Sequence, residues 1–298
     1  MKNGRSVLCS AFLLAATSHP AGAVILFGLD NSNNQTDPGT GVPFDSVGLV
    51  TDLAMTDNGK TGSAIHLGGG YMLTADHVGM SNYVTFDGTT FYQRDLGFSP
   101  VQVAANVDMK IFRLSSVPTV AAAQVYTGTS EEVAPATMVG WGVGRNPAIT
   151  VDSASVTWGT EAATTAKRWA WNTPKALTAI SYGSYSYTAI ETILGSESGT
   201  PAGLGENEGA LTLNDSGSAL FQNIAGTWYL IGLATTVETG GTSNFGNDQT
   251  ANPNGDANYF VRVGNYDEAI LAVVPEVHIW LLAAAGLPLV MRRNVSRH

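Results

Sequence analysis

Turn residues cut this chain into short pieces, and that limits its fold more than any other feature. Apolar or alternating runs recur at Val47–Ala54, Gly62–Leu67, Tyr71–Thr74, Asn82–Phe86, Met109–Leu114, Thr137–Val143, Ala219–Gln222, Trp228–Ala234 and Tyr259–Val263, with Gly, Asn, Asp and Ser between them. Such runs have the length of strands and are too short for helices. A helical period is confined to Asp267–Val273. Charged residues make up 13% of the 298, against roughly 25% in an average soluble domain. The polarity comes from Gly, Ser, Thr and Asn, as in turn-rich β proteins. With 44% apolar residues a large core can form, which excludes disorder throughout. The expectation is an all-β fold. A body of about 250 residues suits two β-barrels better than one sandwich. No internal repeat is evident.

Both ends read as addresses. Residues 1–23 combine Lys2 and Arg5, an apolar stretch from Val7 to Ala16, and small residues at Ala21-Gly22-Ala23, the pattern of a signal peptide cut by signal peptidase. The far end has an apolar run from Val277 to Met291 followed by Arg292, Arg293 and Arg297. As a helix the run would span about 22 Å, short of the ~30 Å hydrocarbon core, so it is a marginal membrane contact with its arginines on the cytoplasmic side. Residues Val274 to Arg293 resemble the PEP-CTERM sorting signal of exported Gram-negative proteins, although Pro275-Glu276-Val277 has valine where that family usually has a second proline. The resemblance implies processing by an exosortase, and a place in the periplasm, on the outer surface or in the extracellular matrix.

Between these ends, residues 24–276 keep nine basic and 24 acidic side chains, a formal charge of −15. That balance excludes a nucleic-acid partner. One cysteine, Cys9, and five histidines exclude a disulfide scaffold and a Cys/His zinc site. No metal or cofactor is expected. The Asn/Asp/Gly-rich stretches Asp30–Thr40 and Asn244–Asn258 carry oxygens enough for calcium but lack EF-hand spacing, and read as solvated loops.

His66 and His77 are the histidines outside the two terminal segments. His66 sits inside a strand pattern. His77 ends the run Tyr71-Met72-Leu73-Thr74-Ala75-Asp76-His77, where a rigid strand can give way to a cleft. Asp108 precedes the alternating run Met109–Leu114, where it can be buried against a histidine. Ser216 lies between Asp215 and Gly217, ahead of an apolar strand, on a turn that can direct backbone N–H groups at a carbonyl. The order His, Asp, Ser differs from that of subtilisin and of the α/β-hydrolases, and no G-x-S-x-G elbow surrounds Ser216.

Six blocks then resemble the trypsin-like (chymotrypsin-fold) serine proteases, in that family's order. They are Leu73–Val78, Asp108–Leu114, Val139–Gly142, Asn214–Ala219, Leu230–Thr235 and Asn258–Ile270. The resemblance implies two six-stranded antiparallel β-barrels, residues 24–125 and 126–273, with the active site between them, a short C-terminal helix, and the remaining 274–298 as a sorting segment. It implies a serine endopeptidase acting on protein or peptide substrates through catalytic His77, Asp108 and Ser216, with the backbone N–H groups of Asn214 and Ser216 as the oxyanion hole. Asn214 stands where the family has glycine, a position Asn can fill because it tolerates left-handed angles. Asp76 stands where the family has alanine, and its side chain is expected to face solvent. The implied pocket residues are Ala210, Thr235 and Val237, which favour cleavage after small or medium apolar residues. A start at Val24-Ile25-Leu26, able to insert beside Asp215, would resemble the family's activation. Two other functions remain open at this stage: an impaired homologue serving as an adhesion or matrix protein, and an exported esterase with the same triad.

Overall fold

The structure is a computed structural model. It describes residues 24–26, 34–56, 59–131, 134–151, 156–194, 204–211, 215–237 and 257–274, with backbone alone for those described within 143–164 and for 237. The signal segment 1–23 and nearly all of the sorting segment lie outside these. Among the described residues no helix is long and apolar enough to cross a membrane.

Two antiparallel sheets dominate. The first is built from Val47–Thr51, Gly62–Gly68, Tyr71–Thr74, Tyr83–Thr85, Phe91–Gln93, Val101–Gln102 and Lys110–Arg113; with Ile25–Leu26 as β1, these are β2 to β8. Their order in space is β6-β5-β2-β3-β4-β8-β7. The sheet curls until Arg94, just beyond β6, bridges to Leu114, just beyond β8. The Asp95 N–H donates to Arg113 O at 2.8 Å and the Ser115 N–H to Gln93 O at 2.8 Å. Both faces of β3 are buried, with Ile65 and Leu67 in one apolar cluster and Ala64 in another beside Met72 and Phe112. That is why Gly62–Leu67 reads as a run more than as an alternation.

The second sheet contains Ala136–Val151 (β9), Val156–Asn172 (β10), Pro174–Tyr182 (β11), Tyr185–Ile193 (β12), Ala219–Ile224 (β14), Thr227–Val237 (β15) and Ala257–Arg262 (β16), in the order β10-β9-β14-β15-β16-β12-β11. The helix α1, Asp267–Val273, closes the described chain where its period placed it. Asp267 and Glu268 occupy its first turn, favourable for the helix dipole, and Ile270 is buried.

The all-β architecture, two curled antiparallel sheets with one short C-terminal helix, is as expected, with two differences of detail. Each sheet has seven strands where six were expected, because short β7 extends the first and β11 forms the outer edge of the second. Val24–Leu26, assigned in sequence to the first barrel, packs on the second. β1 pairs with Gly209–Ala210 (β13), and Val24 and Leu26 join a cluster with Met138, Leu220, Ile231 and Phe260. An apolar tripeptide gains most where it completes a core.

Residues 34–40, the described part of the stretch Asp30–Thr40, are tied to the body more than a solvated loop would be. Asn34 is buried, and its Nδ2 donates to Trp169 O at 3.0 Å. The indoles of Trp169 and Trp228 donate to Thr36 O and Thr40 O at 2.8 and 3.1 Å. Tryptophan N–H groups need acceptors, and here the loop carbonyls supply them.

Candidate active site

His77 leaves β4 three residues beyond Thr74, and Asp108 stands two residues before Lys110, the residue of β8 paired with Thr74. Strand pairing therefore brings the two side by side. Asn106, at φ +61°, turns the chain so that Asp108 enters the interior. The Asp108 side chain is fully buried. Its Oδ1 accepts the His77 backbone N–H at 2.9 Å, and its Oδ2 lies 2.5 Å from His77 Nδ1. An ionised carboxylate only accepts, so Nδ1 carries the proton and Nε2 is left with a lone pair. Nε2 is 2.6 Å from Ser216 Oγ. Burial opposes the charge on Asp108, but the hydrogen bonds and charge from His77 and the Tyr182 hydroxyl outweigh it and hold the carboxyl below the usual range.

Ser216 comes from the second barrel, on the turn before β14. The Ser218 N–H donates to Asp215 O at 2.9 Å and the Gly217 N–H to Ala234 O at 2.8 Å. Gly217 has φ +83°, and a Cβ there would lie 2.0 Å from Ser63 O. The first barrel fixes this turn through Ser63. Its N–H donates to Ser216 O at 2.8 Å, and its Oγ accepts from the Trp141 N–H at 2.9 Å and the Ser218 hydroxyl at 3.2 Å.

His77, Asp108 and Ser216 thus meet across the seam between the barrels. Asn214 lies outside the described residues. Ala210 is buried in β13 opposite Ile25. Thr235 is buried in β15, where its Oγ1 is 2.6 Å from the Tyr187 hydroxyl and donates to Tyr259 O at 3.3 Å. Val237 ends β15 opposite Asn258. The hydroxyl of Thr235 is engaged within its own sheet.

Asp76 does not face solvent freely, contrary to the expectation from sequence. Its Oδ2 accepts the Tyr185 hydroxyl at 2.9 Å, and its Oδ1 is 4.0 Å from Lys110 Nζ. Lys110, Tyr182 and Tyr185 escaped the sequence reading. The Lys110 ammonium donates to Asp76 O at 2.6 Å and Val78 O at 2.8 Å, the carbonyls on either side of His77. Burial pushes its pKa down, with the charge of Asp76 opposing. A signal was present, since Asp108 and Lys110 share a face at the two-residue period of a strand. Tyr182 and Tyr185 face one another across the turn Gly183-Ser184, with Gly183 at φ +55° supplying the positive angle such a hairpin needs. The Tyr182 hydroxyl donates to Asp108 Oδ2 and lies 3.5 Å from His77 Nδ1. Burial raises the Tyr185 hydroxyl to about 12, aided by its bond to Asp76.

No protein-family model and no curated protein matches this chain. Solved structures with a similar course include the NS6 protease of murine norovirus 1, at 15% identity over 77% of this chain and 94% of that one, with a TM-score of 0.40. The HtrA-type protease AlgW with decapeptide is similar at 15% identity over 74% of this chain and 53% of that one, TM-score 0.45. The Rv3671c protease in its inactive form is similar at 12% identity over 83% of this chain and 97% of that one, TM-score 0.47.

Proposed function

We propose that this chain is an exported serine endopeptidase. The observation that carries the proposal is the pair of contacts at His77, 2.5 Å to Asp108 on one nitrogen and 2.6 Å to Ser216 Oγ on the other. A hydroxyl at that distance from an imidazole lone pair, with the ring held by a buried carboxylate, is an activated nucleophile. Ser216 Oγ attacks the scissile carbonyl while its proton passes to His77 Nε2. His77 then gives that proton to the leaving amine, and the C–N bond breaks to leave an acyl-Ser216. Water, deprotonated by His77, attacks the ester and releases the acid. The oxyanion is received by the backbone N–H groups of Ser216 and Asn214, each worth about 3 kcal/mol or more. Residues 1–23 supply export, and Ala210, Thr235 and Val237 favour small or medium apolar residues before the cut.

Fluorophosphonate labelling of the protein, beside Ser216→Ala, tests this. Labelling that is lost in the variant supports the activated serine. Peptide-library cleavage then separates a peptidase from an esterase, and a strong preference for Arg or Lys would refute the pocket. Folded protein that takes no label would leave an impaired homologue with an adhesive or matrix role.

A further inference from the structure

Asp108 is held by more than its histidine. Its Oδ2 receives two donors at once: the Nδ1–H of His77, from the same barrel, and the hydroxyl of Tyr182, from the other. Tyr182 is the last residue of β11, at the tip of the β11–β12 hairpin. That tip is anchored where Asp108 emerges, since the Ser186 N–H donates to Asn106 O at 2.7 Å. Tyr185 reaches Asp76 from the same tip. The Tyr182 ring stands edge-on to the imidazole at 6.4 Å and packs against Tyr185 and Tyr187 at 5.3 and 6.3 Å. Burial, reinforced by the adjacent carboxylate, drives the Tyr182 hydroxyl far above its usual pKa, so it stays a donor over the working range.

We propose that Tyr182 is a positioning residue for the His77–Asp108 pair, delivered by the β11–β12 hairpin to fix the Asp108 carboxylate against the imidazole of His77. The proposal rests on the peptidase function and names a residue of that same site. Two effects follow from the geometry. With Oδ2 occupied on a second side, the carboxylate cannot rotate, so Oδ1 stays on the His77 N–H and Oδ2 on Nδ1. The positive end of the hydroxyl dipole also lies beside Nδ1, where it opposes an added charge on the ring. The other groups facing the imidazole side of the site are Asp76 on the same loop, Lys110 on β8, Tyr185 and Tyr187 on the hairpin, and Ser216.

The test is Tyr182→Phe in the full chain, which keeps the ring and removes the hydroxyl. The expected result is a kcat lowered about tenfold with KM little changed, and an acid limb of kcat/KM displaced to higher pH. A purely structural tyrosine would leave that limb in place. Because Tyr182→Phe could also perturb folding, 3-fluorotyrosine at position 182 is the second variant. Its hydroxyl is a stronger donor, and it should displace the limb to lower pH. The same two displacements should appear in the NMR titration of the His77 ring in a Ser216→Ala background, which requires no hydrolysis. A chain that hydrolyses nothing and takes no label, yet shows both displacements, refutes the peptidase and keeps Tyr182 as the residue positioning the pair. An active chain in which Tyr182→Phe retains the parent kcat and acid limb overturns the role of Tyr182.

Discussion

Gly217 and Gly226 have nearly the same backbone angle and opposite surroundings, which separates the cost of strain from the cost of contact. Gly217 follows Ser216 at φ +83°, and Gly226 lies in the β14–β15 turn at φ +87°. An added Cβ at Gly226 meets nothing within 4 Å, whereas at Gly217 it would stand 2.0 Å from Ser63 O and 2.6 Å from Thr74 Oγ1. Gly226→Ala should therefore cost only the left-handed penalty, about 1–2 kcal/mol. Gly217→Ala adds overpacking against backbone, about 1–3 kcal/mol more. Relief requires the turn to move away from Ser63, which stretches the 2.6 Å approach of Ser216 Oγ to His77. A shift near 1 Å lowers reactivity on the order of a hundredfold. Urea unfolding and the rate of fluorophosphonate labelling, measured on both variants, check this. Equal stability and equal labelling rates in the two alanine variants would refute the assignment of Gly217 to the fit between the Ser216 turn and β3.

Lys110→Met removes the donor to Asp76 O and Val78 O. It should destabilise the protein by about 2–5 kcal/mol, from two carbonyls left without partners, and slow labelling of Ser216; unchanged melting and labelling would count against the clamp. Lys167 is buried beneath the Phe44 and Trp141 rings, and burial pulls its ammonium down to about 8 against the opposing charge of Asp45. Between about 8 and the usual 10.5 the unfolded chain binds this proton and the folded one does not, so stability rises with pH there, by roughly 3 kcal/mol, and the cost stands in full below about 8. Urea titrations should find Lys167→Met more stable than the parent at about pH 7, with the difference closing toward about pH 10. A difference independent of pH would refute that sign.

Five of the seven strands of the first sheet were legible because they obey local rules, whereas the short β6 and β7 were not read. Tyr71–Thr74 matches its strand residue for residue, and Met109–Leu114 encloses β8. His77 and Asp108 could be placed because each ends or begins such a run. The region from 156 to 193 was not legible as strands. Its segments carry Thr, Ala and Ser on exposed faces, as in Lys175–Leu177, and their apolar alternation is weak. Nothing local says that the tip Tyr182–Tyr185 lands on Asp108, a contact between Tyr182 and a residue 74 positions earlier in the chain. Lys110 is a subtler case. Lysine in an apolar strand reads as an exposed residue, and its burial makes sense only once two carbonyls are known to wait for it.

The site is divided between the barrels, and its geometry depends on how they are joined. His77 and Asp108 belong to the first barrel, Ser216 to the second. The chain's one cysteine lies at position 9, so no disulfide ties the halves between residues 24 and 276. The seam instead has an apolar cluster running from Val47, Leu49 and Ile65 through Val139 and Trp141 to Phe221 and Leu233. Apolar packing is strong but not directional, and it cannot by itself set the 2.6 Å contact of Ser216 with His77. Direction comes from a few hydrogen bonds across the seam: Ser63 to Ser216, Trp141 and Ser218 on one side, and Ser186, Tyr182 and Tyr185 to Asn106, Asp108 and Asp76 on the other. The first set holds Ser216 to the barrel of His77. The second holds the His77–Asp108 loop region to the barrel of Ser216. His77 lies between them, partly exposed, with both neighbours fixed from the opposite half of the molecule.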